Sequence, residues 1–184
     1  GNLSATEFVG WYNGHPHYQD LDVPLSGERA VVIGVGNVAI DVTRILAKSV
    51  EELAQTDITD AALAALRRSN IREITIVGRR GPAQARFTTK ELRELGELEN
   101  ADIDVLPRDL QLDAASRASL EDEPMLRRNV EVIEGFREIP ATGKPRRVRL
   151  RFFLSPVEIS GSHRVEATRL DRNELLAGED GRRS

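Results

Sequence analysis

The segment Gly34-Val35-Gly36-Asn37-Val38-Ala39 constrains this chain more than any other. It is a G-x-G-x-x-A loop set between an apolar, β-branched run, Ala30-Val31-Val32-Ile33, and a stretch whose apolar residues recur every three to four positions. Val38, Val42, Ile45, Leu46, Val50 and Leu53 make that stretch one face of a helix, and the run before it reads as a strand covered on both faces. Strand, glycine turn and helix in that order are the context a dinucleotide fingerprint requires. The first glycine makes the tight turn. The second lets a pyrophosphate approach the backbone, and the small third residue lets helix and strand pack closely. Unpaired N–H groups at the helix start then face phosphate oxygens, and the helix dipole adds to the attraction. A plain tight β–α turn is the bland explanation of the same glycines; the flanking strand and helix argue against it.

The second strand, Ile71–Val77, decides which nucleotide. It ends at Gly78-Arg79-Arg80-Gly81. An NAD site usually carries an Asp or Glu there, to accept a hydrogen bond from the ribose 2′-hydroxyl. A carboxylate would repel a 2′-phosphate, whereas two guanidiniums match its oxygens in charge and fork geometry. The pair therefore reads as selecting NADP(H) over NAD(H). Arg79 lies well beyond the ~20 residues that usually follow the glycine loop. A helix over Asp57–Ser69, inserted in the crossover, accounts for the excess.

Further elements follow. Thr88 or Thr89 caps a third helix over Lys90–Glu99, Ile103–Leu106 is a third strand, and Asp113–Glu121 is a short polar helix. From Val130 the pattern changes. Val130–Ile133 reads as a strand, and Val148, Leu150 and Phe152 alternate with Arg147, Arg149 and Arg151. Val165–Thr168 alternates too, so the last two segments, on either side of Ser160-Gly161-Ser162, are expected to pair antiparallel with one wet face. The expected fold is α/β: a three-layer Rossmann-like NAD(P)-binding domain with a short parallel sheet and an antiparallel β-meander. Residues 1–28 form an irregular lead-in, where Asn13-Gly14 and Pro16 oppose a helix. Residues 29–129 form the α/β part, and 130–184 the antiparallel strands and a frayed tail from Gly178.

Composition narrows the function. A chain of 184 residues makes one domain. Zero Cys excludes a disulfide scaffold, a thiolate nucleophile and an iron–sulfur or thiolate zinc site, and the three histidines, His15, His17 and His163, are little material for a metal. The lack of cysteine fits a bacterial cytoplasm or a mitochondrial matrix. No apolar run approaches the ~18 residues of a membrane span, and no secretion leader opens the chain. A net charge of −4 argues against a nucleic-acid binder, including one built on Asp57–Ser69. The local basic surplus between Arg67 and Glu94 suits a small anion instead. No catalytic triad stands out. Asp41 reads as a polar helix position. Glu91 and Glu94 share one face of the third helix, which by spacing alone is a solvated face.

Four runs together resemble a known family. They are F-V-G-W-Y-N-G-H-P (8–16), V-V-I-G-V-G-N-V-A-I-D-V-T-R-I-L-A (31–47), T-D-I-T-D-A-A-L-A-A-L-R (56–67) and V-G-R-R-G-P-A-Q-A-R-F-T-T-K-E-L-R-E-L (77–95); R-N-E-L at 172–175 also fits. The chain is similar to the NADP-binding domain of adrenodoxin reductase/FprA-type ferredoxin–NADP reductases. The resemblance implies an oxidoreductase that passes electrons from NADPH through FAD to a ferredoxin-type iron–sulfur protein. It puts Gly34, Val35, Gly36, Asn37 and Val38 at the pyrophosphate, with Asn37 near the nicotinamide half. It puts Arg79 and Arg80 at the 2′-phosphate, Glu91 among the NADP contacts, and Glu94 beside the nicotinamide as the candidate catalytic residue. The flavin domain of that family opens with its own G-x-G, absent here, so the chain reads as an excised domain. By itself it is expected to bind NADP(H) without turnover, its partner being the FAD-binding domain of the same polypeptide. The glutamate synthase small-subunit type of flavoprotein and a non-catalytic NADP-sensing module are the alternatives.

Overall fold

β1 (Arg29–Ile33), β2 (Glu73–Val77), β3 (Ala101–Val105) and β4 (Arg146–Arg151) form one parallel sheet in the order β1-β2-β4-β3 in this computed structural model, which describes residues 1–175. The register puts Ala30, Val32, Ile74, Ile76, Ile103, Val105, Val148 and Leu150 on one face. Ile74, Val148 and Leu150 are wholly buried there; each such side chain contributes ~1.5–3 kcal/mol. The helix after the glycine loop, α2 (Asn37–Ala47), packs across β1, β2 and β4, and adds Ile40 and Leu46 to the same core.

The opposite face of the sheet is polar. Arg149 Nη1 lies 2.9 Å from Glu73 Oε2, and its Nε 3.3 Å from Asp104 Oδ2. Val31 and Ile33 on the edge strand are 42% and 50% exposed. β1 is thus covered on one face rather than on both.

Several elements differ from the sequence expectation. Val130–Ile133 is not a strand but part of a helix, α7 (Pro124–Gly135). Pro124 suits its first turn, and Leu126, Val130 and Ile133 bury one helical face with Asn129. The four-residue run was too short to separate a period of two from one of 3.6. Arg147–Phe152 does not pair with Val165–Thr168. β4 instead lies between β2 and β3, parallel to both. A hairpin of β5 (Leu154–Ser160) and β6 (Ala167–Arg172) stands in place of a longer meander, and it turns at Ser160-Gly161-Ser162 as the turn residues suggest. The lead-in carries a helix, α1 (Ala5–Tyr12), started by a capping box of Ser4 and Glu7 and seated on buried Phe8 and Trp11. Pro16 lies past its end and does not oppose it. The first long helix divides: α2 ends at Ala47, and Ser49 caps the short α3 (Val50–Leu53). Thr59 caps α4 (Asp60–Arg67), α5 is Thr89–Glu94, and Asp113 caps α6 (Ala114–Ser119). The expected frayed tail, Gly178–Ser184, lies outside the described residues.

Candidate functional site

The glycine loop sits at the carboxyl end of β1, where a nucleotide binds in open α/β sheets. Gly34 closes the turn at φ +136°, a conformation that L side chains rarely adopt. Its N–H donates to the carbonyl of Val77, 2.9 Å away, so the loop is tied to the end of β2. Gly36 precedes α2 and offers its first N–H groups no side-chain cap. A Cβ added at Gly34 or Gly36 would meet nothing within 4 Å. The cradle is therefore open space lined by backbone. Ala39, the small third position, is buried against the sheet. Gly78 permits a close approach from the other side, since a Cβ there would lie 2.6 Å from Val35 Cγ1.

Arg79 and Arg80 follow β2 directly and are exposed. Among the described residues neither guanidinium has a hydrogen bond or ion pair. The backbone beneath them is held firmly. The Gly78 carbonyl accepts from Leu154 N–H at 3.0 Å, and the Arg80 carbonyl from Phe153 N–H at 3.1 Å. The Arg79 carbonyl accepts from Asn173 Nδ2 at 2.7 Å.

The loop from β2 to α5 returns to the glycines. Arg86 N–H donates to the Val35 carbonyl at 2.8 Å, and Arg86 forms a parallel bridge with Gly36. Asn37 Oδ1 accepts from Thr88 N–H at 2.8 Å. Behind the loop, wholly buried Asn129 donates through Nδ2 to the Phe87 carbonyl and accepts through Oδ1 from Thr89 Oγ1, each at 2.7 Å. The start of α5 is thus clamped between α2 and α7. Glu91 accepts from Thr88 Oγ1, and Glu94 Oε2 lies 2.9 Å from Arg44 Nη1 on α2. Asp41, a turn after Asn37, faces the same glutamates. Burial first, and then the like charge of Glu91, push its carboxyl above the usual value, against the pull of Arg44.

The sequence-predicted residues thus fall into two groups at the ends of adjacent strands: Gly34–Val38 after β1, Arg79 and Arg80 after β2. Glu91 and Glu94 are not a free solvated face; they are tied to Thr88 and Arg44. Arg86, Asn129, Asn173 and Arg44 went unread as site residues, although Asn173 sits in the R-N-E-L run. The arginine stripe of β4 is solvated in part: Arg147 is exposed, whereas Arg149 is paired with Glu73 and Asp104, and Arg151 Nε lies 2.6 Å from wholly buried Asp109 Oδ2. A separate cleft of about 200 Å³ lies beside α1 and α2, lined by Tyr12, Asp41, Arg44, Lys48 and Ile58; it does not include the glycine loop. No helix of the described residues is long and apolar enough to cross a membrane.

The donors suit a dinucleotide phosphate. A side-chain-free cradle at a helix start matches a pyrophosphate, and two unpaired guanidiniums nearby match a further phosphate.

No model of a protein family matches the sequence. The chain is 46% identical over 186 residues to NADPH-ferredoxin reductase FprA of Mycobacterium tuberculosis, a match covering 99% of this chain and 40% of that protein. Mitochondrial NADPH:adrenodoxin oxidoreductase of Mus musculus is 57% identical over 98 residues, which covers 53% of this chain and 20% of that protein. Among solved structures, Mycobacterium tuberculosis FprA in complex with NADPH superposes with a TM-score of 0.93 at 46% identity, over 100% of this chain and 40% of that one. The chain therefore spans about two fifths of the length of such relatives.

Proposed function

We propose that this chain is the NADP(H)-binding domain of an oxidoreductase of the adrenodoxin reductase/FprA type, the ferredoxin–NADP reductases to which it is similar. The observation that carries the reading is the pair of unengaged guanidiniums, Arg79 and Arg80, beside a glycine turn with open space at Gly36. Gly34–Val38 take the pyrophosphate. Arg79 and Arg80 take the 2′-phosphate, and Arg86 adds positive charge next to Gly36. Asn37 approaches the nicotinamide half from α2, Glu91 is among the NADP contacts from α5, and Glu94, held by Arg44, stands near the nicotinamide as the candidate catalytic residue. In the whole protein, with FAD held by another part of the polypeptide, these residues would hold NADPH as the hydride donor for electron transfer through the flavin to a ferredoxin-type iron–sulfur protein, in a bacterial cytoplasm or a mitochondrial matrix. These 184 residues bind NADP(H) and do not turn over by themselves.

The test is calorimetric titration of the chain with NADP⁺ and with NAD⁺, with circular dichroism to establish that it is folded. NADP⁺ is expected to bind and NAD⁺ to bind far more weakly. A folded chain that binds neither, or both alike, overturns the reading.

A further inference from the structure

We propose that Asn173 is a positioning residue for coenzyme selectivity: from the base of the β hairpin it fixes the turn that presents Arg79 and Arg80 to a 2′-phosphate. The proposal rests on the nucleotide reading above. All three carbonyls of Gly78, Arg79 and Arg80 accept hydrogen bonds from the hairpin base. Two of the donors, Phe153 N–H and Leu154 N–H, belong to the main chain and come with almost any residue. The third is a side chain, Asn173 Nδ2. Among the hydrogen bonds to the turn's carbonyls, this is the one that depends on side-chain identity; at the far end of the turn Gly81 N–H donates to Gln84 Oε1 at 3.1 Å.

Asn173 is itself well fixed. Its N–H donates to the Phe153 carbonyl at 2.8 Å, and its Nδ2 lies 2.8 Å from Ser155 Oγ. The preceding residue is knotted to the end of the sheet. Arg172 Nη1 lies 2.9 Å from Asp109 Oδ1, and its Nη2 donates to the Arg108 carbonyl at 2.9 Å. The Asp109 carboxylate is wholly buried and also takes Arg151 of β4. On the other side of the turn, Phe153 sits at φ +58° with its ring against Gly81, where an added Cβ would come 2.5 Å from Cζ. The turn is gripped entirely by its backbone, so both guanidiniums stay free. Holding a flexible segment in its binding geometry raises affinity by lowering the ordering cost of association. Only a ligand that uses the two arginines gains from this.

Calorimetry on the 184-residue chain tests the role, with wild type, Asn173→Ala, Arg79→Ala and the double variant each titrated with NADP⁺ and NAD⁺. Asn173→Ala is expected to weaken NADP⁺ about three- to tenfold, the scale of one lost hydrogen bond. NAD⁺ binding stays unchanged, and the loss largely disappears in the Arg79→Ala background, as residues acting through one another are not additive. A merely structural role would weaken both coenzymes together, or add in full to Arg79→Ala, and either result overturns the proposal. So does an unchanged NADP⁺ affinity in a wild-type-like background. If Asn173→Ala unfolds, Asn173→Ser, shorter by one bond, reads the same loss. Wild-type chain that is folded and does not bind NADP⁺ overturns the nucleotide reading, and this proposal with it.

Discussion

A Cβ at Gly36 meets no atom within 4 Å, and its φ of −133° is ordinary extended backbone. Gly36→Val therefore leaves the fold in place and fills the space of a pyrophosphate. The expected result is a wild-type melting curve with binding of both NADP⁺ and NAD⁺ lost by calorimetry. Asp102 works in the opposite sense, through the fold alone. Its carboxylate accepts from Thr142 N–H and Oγ1, Gly143 N–H and Lys144 N–H. These bonds, that from the Thr142 backbone foremost, hold its carboxyl below the usual carboxylate range. The contribution of such a depressed acid is present above its unfolded pKa and is lost as the pH falls through the lower folded value. Asp102→Asn is therefore expected to flatten the acid limb of stability against pH, read as urea midpoints measured from neutral pH downward. At this scale the glycine loop and the arginine pair were legible in the sequence, because each lies within a few consecutive residues whose flanks set the context. Asn173 and Asn129 were not, because their partners lie 94 and 42 residues away, and no local pattern announces such a bond.

Among the elements, those with a strong local signal were the ones legible in sequence: β1, β2, the helix after the glycine loop and the hairpin turn. α7 differs from the expectation because Val130-Glu131-Val132-Ile133 is a short β-branched run, and its helical period shows only over the longer span from Leu126. β4 was misplaced because arginines alternate along it. Their charge suggested a wet face, whereas Glu73, Asp104 and buried Asp109 supply partners from neighbouring segments. Strand order is a tertiary property, and nothing local to β4 says that it lies between β2 and β3. The α7 register has a testable energetic content. Asn129 satisfies the Phe87 carbonyl and the Thr89 hydroxyl inside the protein. Asn129→Leu leaves both without that partner, at a cost of ~1–3 kcal/mol for the buried Phe87 carbonyl and less for the half-buried Thr89 hydroxyl. Urea denaturation should show a lower midpoint with an unchanged slope, and a variant as stable as wild type would mean that the clamp contributes nothing to folding.

For the whole molecule, the proposed division of labour makes a simple prediction. If these 184 residues are the NADP(H)-binding part alone, the purified chain is colourless and oxidises no NADPH in the presence of an artificial electron acceptor. A yellow preparation that reduces one places a flavin site within these residues and refutes the division. The same architecture bears on how readily such a protein changes its coenzyme. The turn at 79 and 80 is held through its main chain and not through the two arginine side chains, so its suspension is blind to which side chains it displays there. Two codons can then be rewritten, in the laboratory or over generations, with little effect on folding. Preference between the two nicotinamide coenzymes becomes a trait that selection can edit separately from stability.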